Sequence, residues 1–232
     1  MSKAYLTIDD TSSRITPNIM DYLNQKNITP IMFSVGKNTE NYYAEAIYSI
    51  RKGAIIGNHS YSHPNFSEIS FEACIDEIEK QERILNRLYQ EAGIERKYKI
   101  FRFPYGDKGG ESKEELQKYL KKEHFCRIDD TMINFNWYRE YGLNKDIDVF
   151  WTFDFGEYQL QYNNGFTYDS ILQRIHDKNP KTGGELLNKS ASHIILIHDQ
   201  EKTEEVMPNY YKILLEYIID MGVEFINPKF IL

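Results

Sequence analysis

Short β-branched runs alternate with amphipathic stretches along this chain, and that alternation restricts it to a narrow set of folds. Residues 5–10 (Tyr5-Leu6-Thr7-Ile8-Asp9-Asp10) read as a strand that stops at two adjacent carboxylates. Residues 13–26 then place Ile15, Ile19, Met20 and Leu23 on one helical face, with Pro17 in the first turn. The same beat continues with a strand at 28–35, a helix at 40–52, a strand at 54–57, a helix at 70–92 and a strand at 98–102. It resumes later with a helix at 113–122, strands at 148–153, 192–197 and 223–226, and helices at 168–179 and 210–221. Such alternation predicts a parallel sheet in an open or barrel α/β fold. No repeat, low-complexity tract or Gly/Ser/Pro-rich linker divides the chain, so one domain over 1–232 is expected. Its least regular part is an insertion-like stretch around 107–148, rich in aromatics.

In folds of this class, active-site residues gather at the C-terminal ends of strands. Five predicted strand ends carry such candidates: Asp9 and Asp10, His59 and His63, Arg102 and Tyr105, Asp154 and Glu157, and His198. Two acids at a strand end cost several kcal/mol to bury unpaired. A plain turn, with Thr11 and Ser12 capping the next segment, is the alternative for Asp9 and Asp10. The placement of every polar cluster at a strand end favours function.

His59 and His63 are separated by Ser60, Tyr61 and Ser62 and followed by Pro64, which puts them on a loop rather than one helix face. Two imidazoles and one carboxylate hold a metal while leaving positions open, the donor count of a hydrolytic zinc site. If Asp10 binds the metal, Asp9 can act as the general base, and Arg102 can hold it ionised. His198 can then protonate a leaving amine, provided Asp154 or Glu157 keeps it charged. Tyr105 can offer its backbone N–H to an oxyanion.

A net charge of −7 with no long Lys/Arg block excludes a nucleic-acid groove. The 18 tyrosines, apolar in body and polar at the tip, suit core boundaries and sugar-facing grooves. Cys74 and Cys126 lack partners at metal spacing and read as reduced, structural thiols. No segment is apolar enough to span a bilayer, and Met1-Ser2-Lys3-Ala4 leads into the first strand without an apolar leader. A cytoplasmic protein is expected on this reading.

Four motifs in order carry a resemblance to the NodB-type polysaccharide deacetylases, carbohydrate esterase family four. Thr7-Ile8-Asp9-Asp10 is similar to the family's T-F-D-D, His59-Ser60-Tyr61-Ser62-His63 to H-[ST]-x-x-H, Arg102-Phe103-Pro104-Tyr105 to R-x-P-Y, and Leu196-Ile197-His198 to L-x-H. The resemblance implies a distorted, incomplete (β/α) barrel with a divalent metal, usually zinc, on Asp10, His59 and His63. It also implies Asp9 as base, His198 as acid, and removal of an acetyl group from an N-acetylated sugar. The expected partner is thus a carbohydrate, including a nucleotide- or lipid-linked precursor. In one place the chain departs from the family: Glu157-Tyr158 stands where an Asp-Trp pair is usual. A hydrolase of a non-sugar amide on the same barrel, or an inactive glycan-binding protein, are the competing readings.

Overall fold

The computed structural model describes residues 2–231. In chain order its elements are β1 (Ser2–Thr11), α1 (Thr16–Gln25), β2 (Ile31–Ser34), α2 (Gly36–Asn41), α3 (Tyr43–Arg51), β3 (Ile55–Asn58) and α4 (Phe71–Ala92). There follow α5 (Lys113–Lys122), β4 (Arg127–Ile128), α6 (Asn136–Glu140), β5 (Phe153–Asp154) and α7 (Tyr168–His176). The last are β6 (Ser192–His198), α8 (Glu201–Val206), α9 (Tyr210–Asp220), β7 (Val223–Phe225) and β8 (Phe230–Ile231).

The main sheet is parallel, in the order β3-β2-β1-β6-β5. β1 is long enough to pair with β6 along one edge, while its other edge pairs first with β7 and then with β2. Side chains alternate across β1. Ala4, Leu6 and Ile8 face the helices, where they pack with Ile19 and Leu23 of α1, Ile50 of α3, Leu85 and Leu88 of α4, and Leu214 of α9. Tyr5 faces the opposite way and packs with Ile31, Phe33, Ile100, Val149 and Ile194. Thr7 and Asp9 share that inner face, which places a polar column above an apolar plug.

The predicted strands at 98–102 and 148–153 are mostly not ladders. Asn58 and Phe101 form an isolated bridge, with Asn58 N donating to Ile100 O (2.9 Å) and Arg102 N to Asn58 O (3.0 Å). Val149 N donates to Phe101 O (2.9 Å), and Thr152 N to Ile194 O (2.8 Å). One or two bonds per neighbour therefore join the segments across this sector. One reason is local: Thr152 O accepts from Gly184 N (2.7 Å), so a loop takes the bond that a longer ladder would use.

The helix expected at 40–52 starts earlier and is broken at Tyr42 (φ −123°, ψ 50°). Its first N–H groups are already used: Gly36 N donates to Ser60 O (3.0 Å) and Lys37 N to Tyr61 O (2.9 Å). A Cβ on Gly36 would collide with the Tyr61 ring, so this close approach requires glycine. α4 matches its expected span, with Ser70 Oγ accepting from Ala73 N (3.2 Å) and Gly93 (φ +73°) ending it. The helix expected at 168–179 stops at His176. Within 107–148 the structure adds two elements that no periodicity signals, the short α6 and β4, which pairs antiparallel with β8. Both cysteines are buried and free.

Candidate active site

Asp9 ends the inner face of β1 and is almost fully buried. Arg102, also buried, donates from Nη1 to Asp9 Oδ1 (2.7 Å) and to Thr7 Oγ1 (2.9 Å), and from Nε to Val149 O (2.9 Å). Thr7 donates its own hydroxyl proton to Ile195 O (2.8 Å). The guanidinium also lies over the Phe33 ring, 4.3 Å from its centroid. A buried carboxylate is tolerable only when paired in this way.

The next residue, Asp10, has φ +63° and interrupts the pairing of β1 with β2, whose register shifts between Ile8 and Thr11. Its Oδ2 accepts from Gln200 Nε2 (2.8 Å), which leaves Oδ1 3.3 Å from His63 Nε2 and 4.0 Å from His59 Nε2. His59 Nδ1 is bonded to Arg102 O (2.8 Å) and must donate there, so Nε2 carries the lone pair. Burial and the neighbouring His63 lower the His59 pKa to about 3, which keeps this imidazole neutral. Donor atoms of Asp10, His59 and His63 all lie within 4.8 Å of one another. Two ligands on a tetrahedral zinc ion are roughly 3.3 Å apart. A neutral imidazole, a second imidazole and a carboxylate at this spacing fit a divalent cation.

The loop that carries the two histidines is clamped by α4. Glu77 accepts from Ser62 N (2.6 Å) and Ser62 Oγ (2.8 Å), and Asn58 Oδ1 accepts from Ser60 N (2.8 Å). Ser60, His63 and Tyr105 share the positive φ of Asp10, at 64°, 60° and 58°. Left-handed backbone at four non-glycine residues around one cluster is uncommon and marks a site held by its surroundings.

His198 ends β6. Its backbone N (2.5 Å) and its Nδ1 (3.2 Å) both approach Glu157 Oε1. Burial acts to discharge the imidazole, but the Glu157 carboxylate and its hydrogen bond override this and raise the pKa to about 10. Burial likewise pushes the Glu157 carboxyl upward. Asp154, by contrast, accepts from Gly156 N (2.8 Å) and shapes the turn that presents Glu157. Of the two acids considered from sequence, Glu157 contacts His198. Asp154, Glu157 and His198 are also close enough to hold an ion, but Glu157 Oε1 is already engaged by His198, and an ion pair accounts for the trio.

Asp9, Asp10, His59, His63, Asp154 and His198 line one cleft of about 870 Å³, with Trp151, Tyr158 and Leu196 among its walls, and Arg102 and Glu157 stand behind Asp9 and His198. Tyr105 is 65% exposed at its rim, with its ring 4.5 Å from that of His63. All nine residues singled out in the sequence thus converge. Reasoning from sequence missed Thr7, Glu77, Gln200 and Asp199. Asp199 is buried and accepts from Ser13 Oγ (2.5 Å) and from Thr16 Oγ1. Its place directly after His198 was a usable signal, whereas nothing local marks Glu77.

Comparison with known proteins adds four findings. A family model described as polysaccharide deacetylase matches residues 2–122. A peptidoglycan-N-acetylglucosamine deacetylase of Bacillus cereus is 34% identical over 133 residues, 57% of this chain, and the chain spans 45% of that protein's length. The crystal structure of a Bacillus cereus polysaccharide deacetylase superposes with a TM-score of 0.64 at 21% identity, covering 97% of this chain and 91% of the other. A carbohydrate esterase family four pseudoenzyme from Bacillus anthracis also scores 0.64, at 19% identity, covering 97% and 64%. These structural likenesses show the fold, and an inactive protein shares it.

Proposed function

The chain belongs to the polysaccharide deacetylase family, and on that premise we propose that it is a hydrolase removing an N-acetyl, or similar N-acyl, group from an amino sugar of a glycan or glycan precursor. The observation that carries this reading is the meeting, in one cleft, of three cation donors with two separate acid–base pairs, Asp9–Arg102 and Glu157–His198. A glycan-binding protein would need neither pair.

In this reading Asp10, His59 and His63 would hold a divalent cation, with Zn²⁺ the ion that best suits two imidazoles and a carboxylate, and the chemistry it would supply is Lewis-acid polarisation and a more acidic water. Asp9 takes the proton from the attacking water, with Arg102 holding its carboxylate in place. The Tyr105 backbone N–H donates to the oxyanion. His198, kept charged by Glu157, gives its proton to the departing nitrogen as the C–N bond breaks. Water adds across the amide, and the products are a carboxylate and a free amino sugar.

Elemental analysis of the purified protein and of His59→Ala tests this directly. About one divalent ion per chain, lost in the variant, together with acetate released from N-acetylated sugars by the wild type alone, is the expected result. An absence of metal in the wild type that reconstitution does not reverse would exclude the proposal.

A further inference from the structure

Asp10 is held at two points by groups that are not cation donors. Asn38 Nδ2 donates to its backbone O (2.8 Å), and Gln200 Nε2 donates to its carboxylate Oδ2 (2.8 Å). Among the described residues no other hydrogen bond reaches this carboxylate. Gln200 therefore decides which oxygen turns toward His59 and His63.

Gln200 is itself held. Gln161 Nε2 donates to Gln200 Oε1 (2.5 Å), and Gln200 N donates to the Tyr210 hydroxyl (3.3 Å), which in turn donates to His198 O. The direction of this chain is set at its end. A carboxylate only accepts, so the Gln200 nitrogen faces Asp10, its oxygen faces Gln161, and the Gln161 nitrogen donates. Turning either amide around would place two acceptors or two donors face to face. Fixing two glutamine side chains costs rotamer entropy, and a hydrogen bond to a charged acceptor is strong enough to offset much of it.

Gln161 closes the turn Glu157–Gln161, whose first residue pairs with His198. One turn of five residues thus serves both halves of the site. Its first residue supports the acid, and its last reaches the cation ligand through Gln200. Both glutamines are half-buried in the wall of the main cleft.

We infer that Gln200, oriented by Gln161, is a positioning residue for the cation. It turns Asp10 Oδ1 toward the two imidazoles and makes cation affinity depend on the turn that presents Glu157. The inference rests on the assignment of Asp10, His59 and His63 as cation ligands above, and it adds residues that touch no cation.

The test uses chelator-treated wild type, Gln200→Met, Gln161→Met and the double variant, each competing for Zn²⁺ with a chromophoric chelator and with no sugar present. Methionine keeps roughly the length of glutamine and removes its amide. Zinc affinity should fall about tenfold or more in Gln200→Met, and by a smaller factor in Gln161→Met. Because Gln161 acts through Gln200, the double variant should bind zinc as Gln200→Met does, the non-additivity of residues in one hydrogen-bonded chain.

Unchanged zinc affinity in Gln200→Met would overturn the positioning role. Losses that multiply in full in the double variant would overturn the relay through Gln161. A higher KM for an N-acetylated sugar with zinc affinity intact would assign both glutamines to sugar contact and overturn the inference as well. Should Gln200→Met not fold, Gln161→Met decides alone by losing or keeping zinc affinity. Failure of the deacetylase reading reads out differently, as zinc bound but no acetate released from any N-acetylated sugar, and the zinc series still decides the role of Gln200. A wild type that binds no zinc would overturn both.

Discussion

Asp9 and His198 are register partners on adjoining parallel strands, the last rung of a ladder that begins at Lys3 and Ser192. Register partners project from the same face of a sheet, and neighbouring strands are about 4.8 Å apart. The two residues assigned to move protons are therefore set side by side by backbone hydrogen bonds rather than by contacts of their own. Asp199 N extends the pairing with a bond to Asp9 O (3.0 Å). Slipping either strand by one residue would turn its candidate toward the helices.

The pairing of His198 with Glu157 fixes a pH dependence. The imidazole is raised to about 10, so the acid form persists through neutrality and is lost only as pH rises through that value. Glu157→Gln removes the charge that opposes the desolvation. The pKa then falls to the ordinary value near 6.5 or below. The alkaline limb of the kcat/KM profile for acetate release should move down accordingly. Activity at pH 8 relative to pH 6 should drop by more than about tenfold, following the protonated fraction of an imidazole of that pKa. An unmoved alkaline limb would show that Glu157 does not govern His198.

Arg102→Met should be costly to stability because it strands a buried carboxylate. Removing one partner of a buried ion pair typically costs about 3–5 kcal/mol. Adding Asp9→Asn to that variant should recover much of the loss in urea unfolding while leaving the protein inactive. If the double variant is no more stable than Arg102→Met alone, the charge on Asp9 is not what Arg102 compensates.

Much of this site could be read directly from the sequence, because strand ends carry chemistry in parallel α/β folds and the polar pairs interrupt apolar runs. The Asp9, His59 and His198 clusters are of this kind. The hidden parts depend on contacts between distant segments. Glu77 lies mid-helix and looks like any solvated acid until α4 packs beneath the 59–63 loop. The strand at 98–102 is β-branched and aromatic like the others, yet it keeps one bridge to Asn58 and lone bonds from Val149 N and Cys126 N. Propensity does not say how many rungs the neighbouring backbone can offer. Glu157 and Asp154 were equivalent in sequence. The tight turn at Gly156 (φ +68°) separates them by giving Asp154 a backbone partner and Glu157 the imidazole.

Glu77→Ala should loosen the histidine loop without touching a cation donor. Both Ser62 contacts would be lost. Groups that orient metal ligands from outside typically contribute 10–100-fold in metal affinity. Competition with a chelator should show a loss of about that size for zinc. Glu77→Gln, which keeps one acceptor, should fall between the variant and the wild type. Unchanged zinc affinity in Glu77→Ala would mean that the loop holds its shape through Asn58 and the start of α2 alone.

Asp199→Asn should change how stability depends on pH, and the sign follows from the direction of the shift. Burial raises the Asp199 carboxyl to about 6, above the roughly 3.9 of an unfolded Asp. Between those values the folded chain holds a proton that the unfolded chain has released. The contribution of Asp199 to stability therefore falls as pH rises from about 4 to about 6, and is level beyond. A shift of about two units corresponds to roughly 3 kcal/mol at most. The amide in the Asp199→Asn variant cannot ionise and should lack this decline, so the gap in unfolding free energy between wild type and variant should move in the variant's favour across that window. The same substitution weakens the contacts to Ser13 and Thr16, which tie the start of α1 to the end of β6. That tie anchors the segment leaving Asp9 and Asp10, so activity should fall even at pH values where the variant gains stability. A constant stability gap from pH 4 to 7 would show that Asp199 carries no proton into the fold.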